Sequence, residues 1–206
     1  MDESRNQYQI IRKDARNCFV ESLSDAFAIG KIHLVFASYD LNRPSGQRQT
    51  DNVHIYINAS EFLELCIKLL SGELRWMLQS RKNNEDNTPL LQWLGGTSAE
   101  RLAKYGRSRP DGKCLSRTAK LLCGKKSNFL LVADSGPGDQ NDKGLIVPKF
   151  GTYPENHVYV SLSWDAFGQL LLTTKAHYQA WLTAYYVRKT KEDAAMENER
   201  NGENYV

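Results

Sequence analysis

Two stretches of the chain change their hydrophobic period in the same way. VHIYINASEFLELCIKL, from Val53, alternates with Val53, Ile55 and Ile57 on one side. It then passes to Phe62, Leu65, Cys66, Leu69 and Leu70, spaced i, i+3, i+4, i+7, i+8. VYVSLSWDAFGQLLLTT, from Val158, alternates through Val160 and Leu162, then runs into a stripe of Phe167, Leu170, Leu171, Tyr178, Trp181, Leu182 and Tyr185. Alternation marks a half-buried strand, and spacing near 3.6 marks one face of a helix. Laid side by side without a gap, Val53 meets Val158, Ile57 meets Leu162, Phe62 meets Phe167 and Leu65 meets Leu170. Asn58 and Ser163 fall at matching helix starts, where a side-chain oxygen can cap free backbone N–H groups. Gly72 can end the first helix.

The likeness extends upstream. IHLVFASYD (Ile32 to Asp40) and FLLVADSGPGD (Phe129 to Asp139) each precede a polar turn and then the alternating strand. Before them, AFAIGK (Ala26 to Lys31) and AKLLCGKK (Ala119 to Lys126) each read as a strand running into a Gly-centred turn. The pattern predicts an α+β fold made of two internally repeated antiparallel sheet-plus-helix units with pseudo-twofold symmetry. The expected organisation is an N-terminal arm over 1–16, one pseudo-symmetric domain over 17–188, and an acidic disordered tail over 189–206. Within the domain, repeat one covers about 17–72 and repeat two about 114–188. The connection at 73–113 holds a short amphipathic piece around Leu90, Leu91, Trp93 and Leu94 and a helical turn near Ser98 to Tyr105. A connection of that length inside a domain is usually functional or mobile.

Composition narrows the class. With 206 residues, 41% hydrophobic and 25% charged, the chain suits one globular domain rather than a disordered tail protein. No run of 18 apolar residues exists, so no membrane partner is expected. The polar start, MDESRNQYQ, is unlike a secretory leader, and a cytoplasmic location follows as an expectation. Cys18, Cys66, Cys114 and Cys123 form no C-x-x-C pair and read as reduced thiols. The net charge of +3 hides an uneven distribution. Residues 101–126 carry nine Lys and Arg against Asp111 alone, net +8, while the last fifteen residues carry Arg200 against five acids, net −4. A basic segment of this density is the footprint of a polyanion partner, because each cation that meets a phosphate releases a condensed counterion.

Alternation also assigns faces. Ile32, Leu34, Phe36, Val53, Ile55, Ile57, Val158, Val160 and Leu162 should point at the helices. Lys31, His33, Val35, His54, Tyr56, His157, Tyr159 and Ser161 should point away. Rings beside basic groups on an open sheet face suit unpaired bases, which stack while cations hold the backbone. The candidate nucleic-acid-binding residues are Lys31, His33, Arg48, His54, Tyr56, Arg107, Arg109, Lys113, Arg117, Lys120, Lys125, Lys126, Lys149 and Tyr159. Catalytic signals are weak. The four histidines fit no metal motif, and SGPGD at Ser135 lacks the G-K-[ST] ending of a phosphate loop. Asp134, Asp139 and Asp142 could gather a metal for phosphodiester cleavage, but acids in a Gly/Pro/Asn-rich stretch are commonly turn residues. No catalytic residue, metal or cofactor is expected.

A duplicated antiparallel sheet plus helix, carrying the VHIYINASEF/VYVSLSWDAF pair and a basic, aromatic outer face, resembles the Whirly-type single-stranded DNA-binding domain over roughly 17–188. That domain is related to a transcription-coactivator fold. The chain is also similar in look to small accessory proteins of bacterial phages, plasmids and conjugative elements. The resemblance implies sequence-tolerant binding of single-stranded DNA or RNA along the sheet surface, in the service of DNA processing, transfer or replication. It also implies homo-oligomers built through the long C-terminal helix. The alternatives are an interaction module that docks a DNA-processing complex through Trp181, Tyr185 and Tyr186, and a metal-dependent nuclease.

Overall fold

A computed structural model describes residues 6–203, with side chains to residue 195. The protein is a mixed α+β structure with two antiparallel sheets and a long C-terminal helix. The first sheet is a meander of β1 (Gln9–Ala15), β2 (Cys18–Leu23), β3 (Lys31–Tyr39) and β4 (Gln49–Asn58), in that order. Helices α1 (Ala59–Leu70) and α2 (Glu73–Asn83) follow. The second sheet joins β5 (Leu91–Thr97), β6 (Cys114–Cys123) and β7 (Phe129–Gln140), with α3 (Ala99–Lys104) between the first two. The far edge of β7 is shared by β8 (Ile146–Pro148) at one end and β9 (Asn156–Leu162) along the rest. Helix α4 (Trp164–Glu203) closes the chain.

Within each sheet the registers set the expected inward rows against one another. Ile32, Leu34 and Phe36 lie opposite Ile57, Ile55 and Val53, and Phe129, Leu131 and Ala133 lie opposite Leu162, Val160 and Val158. All twelve are buried, with Phe62, Leu65, Phe167, Leu170 and Leu171, in one core that spans both sheets. The halves interlock. Ser22 of β2 shares a 2.6 Å hydrogen bond with Thr174 of α4, and the Phe27 ring meets the Tyr178 ring at 5.1 Å. The Cys18 thiol of β2 donates to the backbone oxygen of Tyr159 on β9. All four cysteines are free thiols.

Several expectations change. Residues 9–15, inside the expected arm, are the edge strand β1. Ala26 to Gly30 is no strand: Phe27–Ile29 forms a 3-10 turn, β3 begins only at Lys31, and the preceding β2 supplies its pairing partner. The expected connection 73–113 is largely ordered, holding α2, the first strand of the second sheet and α3. Its apolar piece at Leu90–Leu94 pairs with β6, and Ser98 caps α3 by accepting from the Arg101 N–H. Residues 189–203 of the expected disordered tail continue α4, which at 1.5 Å per residue is about 60 Å long; residues 204–206 lie outside the described residues. Gly72, in the left-handed region at φ 84°, separates α1 from α2. Ser163 caps α4 by accepting from the Ala166 N–H, whereas Asn58 makes no cap bond and accepts from Lys31 Nζ instead. Leu70, on the predicted apolar stripe of α1, is exposed.

Candidate nucleic-acid interface

The outer face of the first sheet is closed at its centre and open at its β4 edge. Its register sets Val35 between Glu21 and His54, Ala37 between Phe19 and Asn52, and His33 between Leu23 and Tyr56. Val35, Ala37 and His33 are buried despite pointing away from the helices, His33 being only 3% exposed. The expectation that His33 offers its ring to a base is therefore corrected. It is shaded by larger neighbours on both flanking strands and bonded on both ring nitrogens. Its Nδ1 lies 2.8 Å from Asp25 Oδ1, and its Nε2 lies 2.8 Å from His54 Nδ1. Tyr56 lies stacked on it, 4.3 Å between centroids, and remains 46% exposed, so one face of the phenol ring is taken and the other is open.

Arg117 reaches this edge from the second sheet. It shares the side of β6 that carries the core residues Ala119 and Leu121, but lies two residues beyond them. Its cross-strand neighbour Gly95 leaves open space where a side chain would stand. Arg117 Nη1 donates to Thr97 Oγ1 at 2.8 Å. Burial presses its pKa downward, and the charge of Arg107 adds to that pressure. Among the described residues, neither Arg117 nor Arg107 has a carboxylate within 4.0 Å. A half-buried cation without a counter-charge is costly and favours an anion. Its field is felt by the rings beside it. Burial, His33 and Arg117 together push His54 down to about 4, and burial and Arg117 lower His33 against the opposing pull of Asp25. Among the described residues, the one buried side-chain N or O atom without a partner is Asn52 Oδ1, next outward from His54 on β4. His54 Nε2 and the remaining N–H groups of Arg117 thus face solvent.

The linear basic cluster is dispersed by the strand that carries most of it. Lys113 precedes β6, and Lys125 and Lys126 sit on the turn after it. They are exposed at opposite ends of a ten-residue strand, about 33 Å apart at the usual rise per residue. Arg117 and Lys120 point to opposite faces, since they are three positions apart. Arg109, expected on phosphate, is already neutralised: it donates to both Glu155 oxygens at 2.8 and 2.6 Å and to Asp111 at 3.1 and 3.0 Å. These bonds pin the β8–β9 segment over the end of the second sheet, where Ile146 fills the space above Gly96 and Gly138. On the outer face of that sheet Lys120 stands opposite Val132, and Val132 opposite Tyr159, which is 60% exposed. Lys31 is held by Asn58. Arg48 donates to the Arg43 backbone oxygen at the β3–β4 loop, and Lys149 lies in the strap after β8.

The structure therefore brings together His33, His54, Tyr56, Arg107 and Arg117, and leaves Arg48, Lys113, Lys125, Lys126, Lys149 and Tyr159 elsewhere. Asp25 and Thr97 join the site without any sequence signal, because only the fold places a β2-to-turn residue and the end of β5 beside His33 and Arg117. Two further exposed rings, Phe150 at 99% and Tyr153 at 93%, stand on the β8–β9 strap. Asp134 is engaged by His157 at 2.6 Å, and among the described residues no three His, Cys, Asp or Glu side chains gather in a metal-holding group. No described helix is long and apolar enough to cross a membrane. Comparison of the chain with family models, curated proteins and solved structures returns no match.

Proposed function

We propose that the protein binds single-stranded nucleic acid, DNA foremost, with little regard to sequence, and that its halves are pseudo-twofold copies of one Whirly-like module. The observation that supports this most is the pair of guanidinium groups, Arg117 and Arg107, which have no carboxylate partner among the described residues and stand beside the open ring of Tyr56 on an edge strand. A strand running along the β4 edge would find cations for its phosphates and a phenol face for a base, the two elements that sequence-tolerant single-strand binding combines. The shared register of β3/β4 and β7/β9 supports the duplication.

Filter binding of a labelled thymidine oligonucleotide at two salt concentrations tests the function. Affinity should fall steeply with salt. Replacing Arg107 and Arg117 together by Ala should weaken binding by about tenfold or more and reduce the log–log salt slope by about 1.4, near 0.7 for each lost phosphate contact on a single strand. Arg109→Ala should change affinity little, its charge being spent on Asp111 and Glu155. Equal binding by the double variant and the wild type would remove the proposal, as would stronger binding of duplex than of single strand.

A second function, docking or self-association through α4, is favoured by the exposed Tyr186 and Val187 and by the unbroken exposure of that helix over residues 183–195. Light scattering on the purified chain distinguishes a monomer from an assembly.

A further inference from the structure

The hydrogen-bonded row of Asp25, His33 and His54 has a property that neither cations nor aromatic rings supply. An ionised Asp25 carboxylate can only accept, so His33 Nδ1 carries the proton between them. His33 Nε2 is then bare and accepts from His54 Nδ1–H, which leaves His54 Nε2 without a proton at the solvent end of the row. In this state the row shows a lone pair to the space beside Arg117. One added proton reverses that. It settles on His54 Nε2, and the His54 Nδ1 proton can pass across the 2.8 Å bond to His33 Nε2. His33 then holds the positive charge 2.8 Å from the Asp25 carboxylate, and His54 presents an N–H to the same space. No bond other than N–H is made or broken, and the proton comes from solvent.

We propose that the solvent end of this row, with Arg117, is a seat for one phosphate group of the bound strand, and that the phosphate brings one proton with it. The proposal rests on the strand-binding function above and specifies one of its contacts. A phosphate oxygen is an acceptor and repels the bare Nε2, so binding selects the protonated row. The neighbouring charges agree. Facing His54 are His33 from β3 and Arg117 from β6; Tyr56 of β4 is stacked on His33, Arg107 from the segment after α3 acts on Tyr56 and Arg117, Asp25 stands at the far end of the row, and Glu21 of β2 lies two strands away. Burial, His33 and the guanidinium of Arg117 together keep the row unprotonated while no anion is present, and an anion cancels the part that Arg117 supplies. The two conditions together turn phosphate binding into proton uptake.

The test is titration calorimetry of the full chain with a thymidine 12-mer, whose own groups do not ionise between about pH 5.5 and 8. Two buffers of very different ionisation enthalpy are used at about pH 6, with affinity followed across the whole range. The wild type should take up about one proton per strand, and its affinity should rise up to about tenfold for each unit of falling pH. His54→Gln should still bind, with no proton uptake and a flat pH profile. Asp25→Asn should bind with a shallower profile, because a carboxamide cannot stabilise a charged His33. Equal heats in the two buffers, with strand binding intact, would overturn the proton-linked seat and leave the function standing. Proton uptake that persists in His54→Gln would place the proton elsewhere, His157 beside Asp134 being the other paired imidazole, and would also overturn it. If no strand binds at any pH, the proposed function fails. Dimethyl phosphate, a diester monoanion that does not ionise in this range, is titrated in the same two buffers and then decides the seat: uptake in the wild type and none in His54→Gln sustains it, and equal heats end it.

Discussion

At the scale of single residues, the buried histidine row makes folding stability depend on pH. His54 has an ordinary value near 6.5 when unfolded and about 4 when folded, because burial, His33 and Arg117 disfavour its charged form. The unfolded chain therefore binds the proton first. The row's contribution to stability is complete above about pH 6.5 and is lost as pH falls toward about 4, on the order of 1–2 kcal/mol after allowance for solvent screening. Urea midpoints at about pH 7 and pH 5 should show the loss in the wild type and a smaller loss in His54→Gln. An identical loss in both would move its origin to other groups. Alternation along β3 and β4 was enough to place His33 and His54 on one outward face. It could not tell that His33 is buried, which depends on Leu23 and Tyr56 flanking it, or that Asp25 reaches it from outside any strand.

At the scale of elements, the end of the second sheet is shaped by what glycine omits. A Cβ on Gly96 would lie 2.4 Å from the Leu115 backbone oxygen and 2.6 Å from Ile146 Cγ2. Gly96→Ala should therefore push β8 off the sheet or strain β5, destabilising the protein by about 1–3 kcal/mol, the usual penalty for overpacking. Chemical denaturation measures it, and an unchanged midpoint would show that the strap yields freely. Strand geometry also disperses the dense charge of residues 101–126: β6 spreads Lys113 and Lys125 to opposite ends and alternates Arg117 and Lys120 between faces. Of that segment Arg117 reaches the histidines, and Arg107 joins it beside Tyr56. The helical turn near Ser98 to Tyr105 is closed by local capping and is legible from its own residues, whereas β5 is not, because its partners on β6 lie 18 to 30 residues away.

At the scale of the whole molecule, the two sheets share one core and have no separate interiors. Phe62 and Phe167, at matched places in the sequence, are both essentially inaccessible within it. Phe62→Ala and Phe167→Ala should each cost about 3–5 kcal/mol, and each should leave a single unfolding transition by circular dichroism and fluorescence. Two resolved transitions would mean that the halves fold independently. The sequence alone determined the parts that rest on local periodicity: strands at Val53 and Val158, the helices after them, the inward rows and the outward rows. The tertiary structure decided which outward residues are accessible, which cations keep a partner, and where β1, β5 and the strap lie. The reason is physical: a face follows from the two-residue repeat of one strand, whereas exposure and charge pairing depend on neighbours brought together from distant positions along the chain.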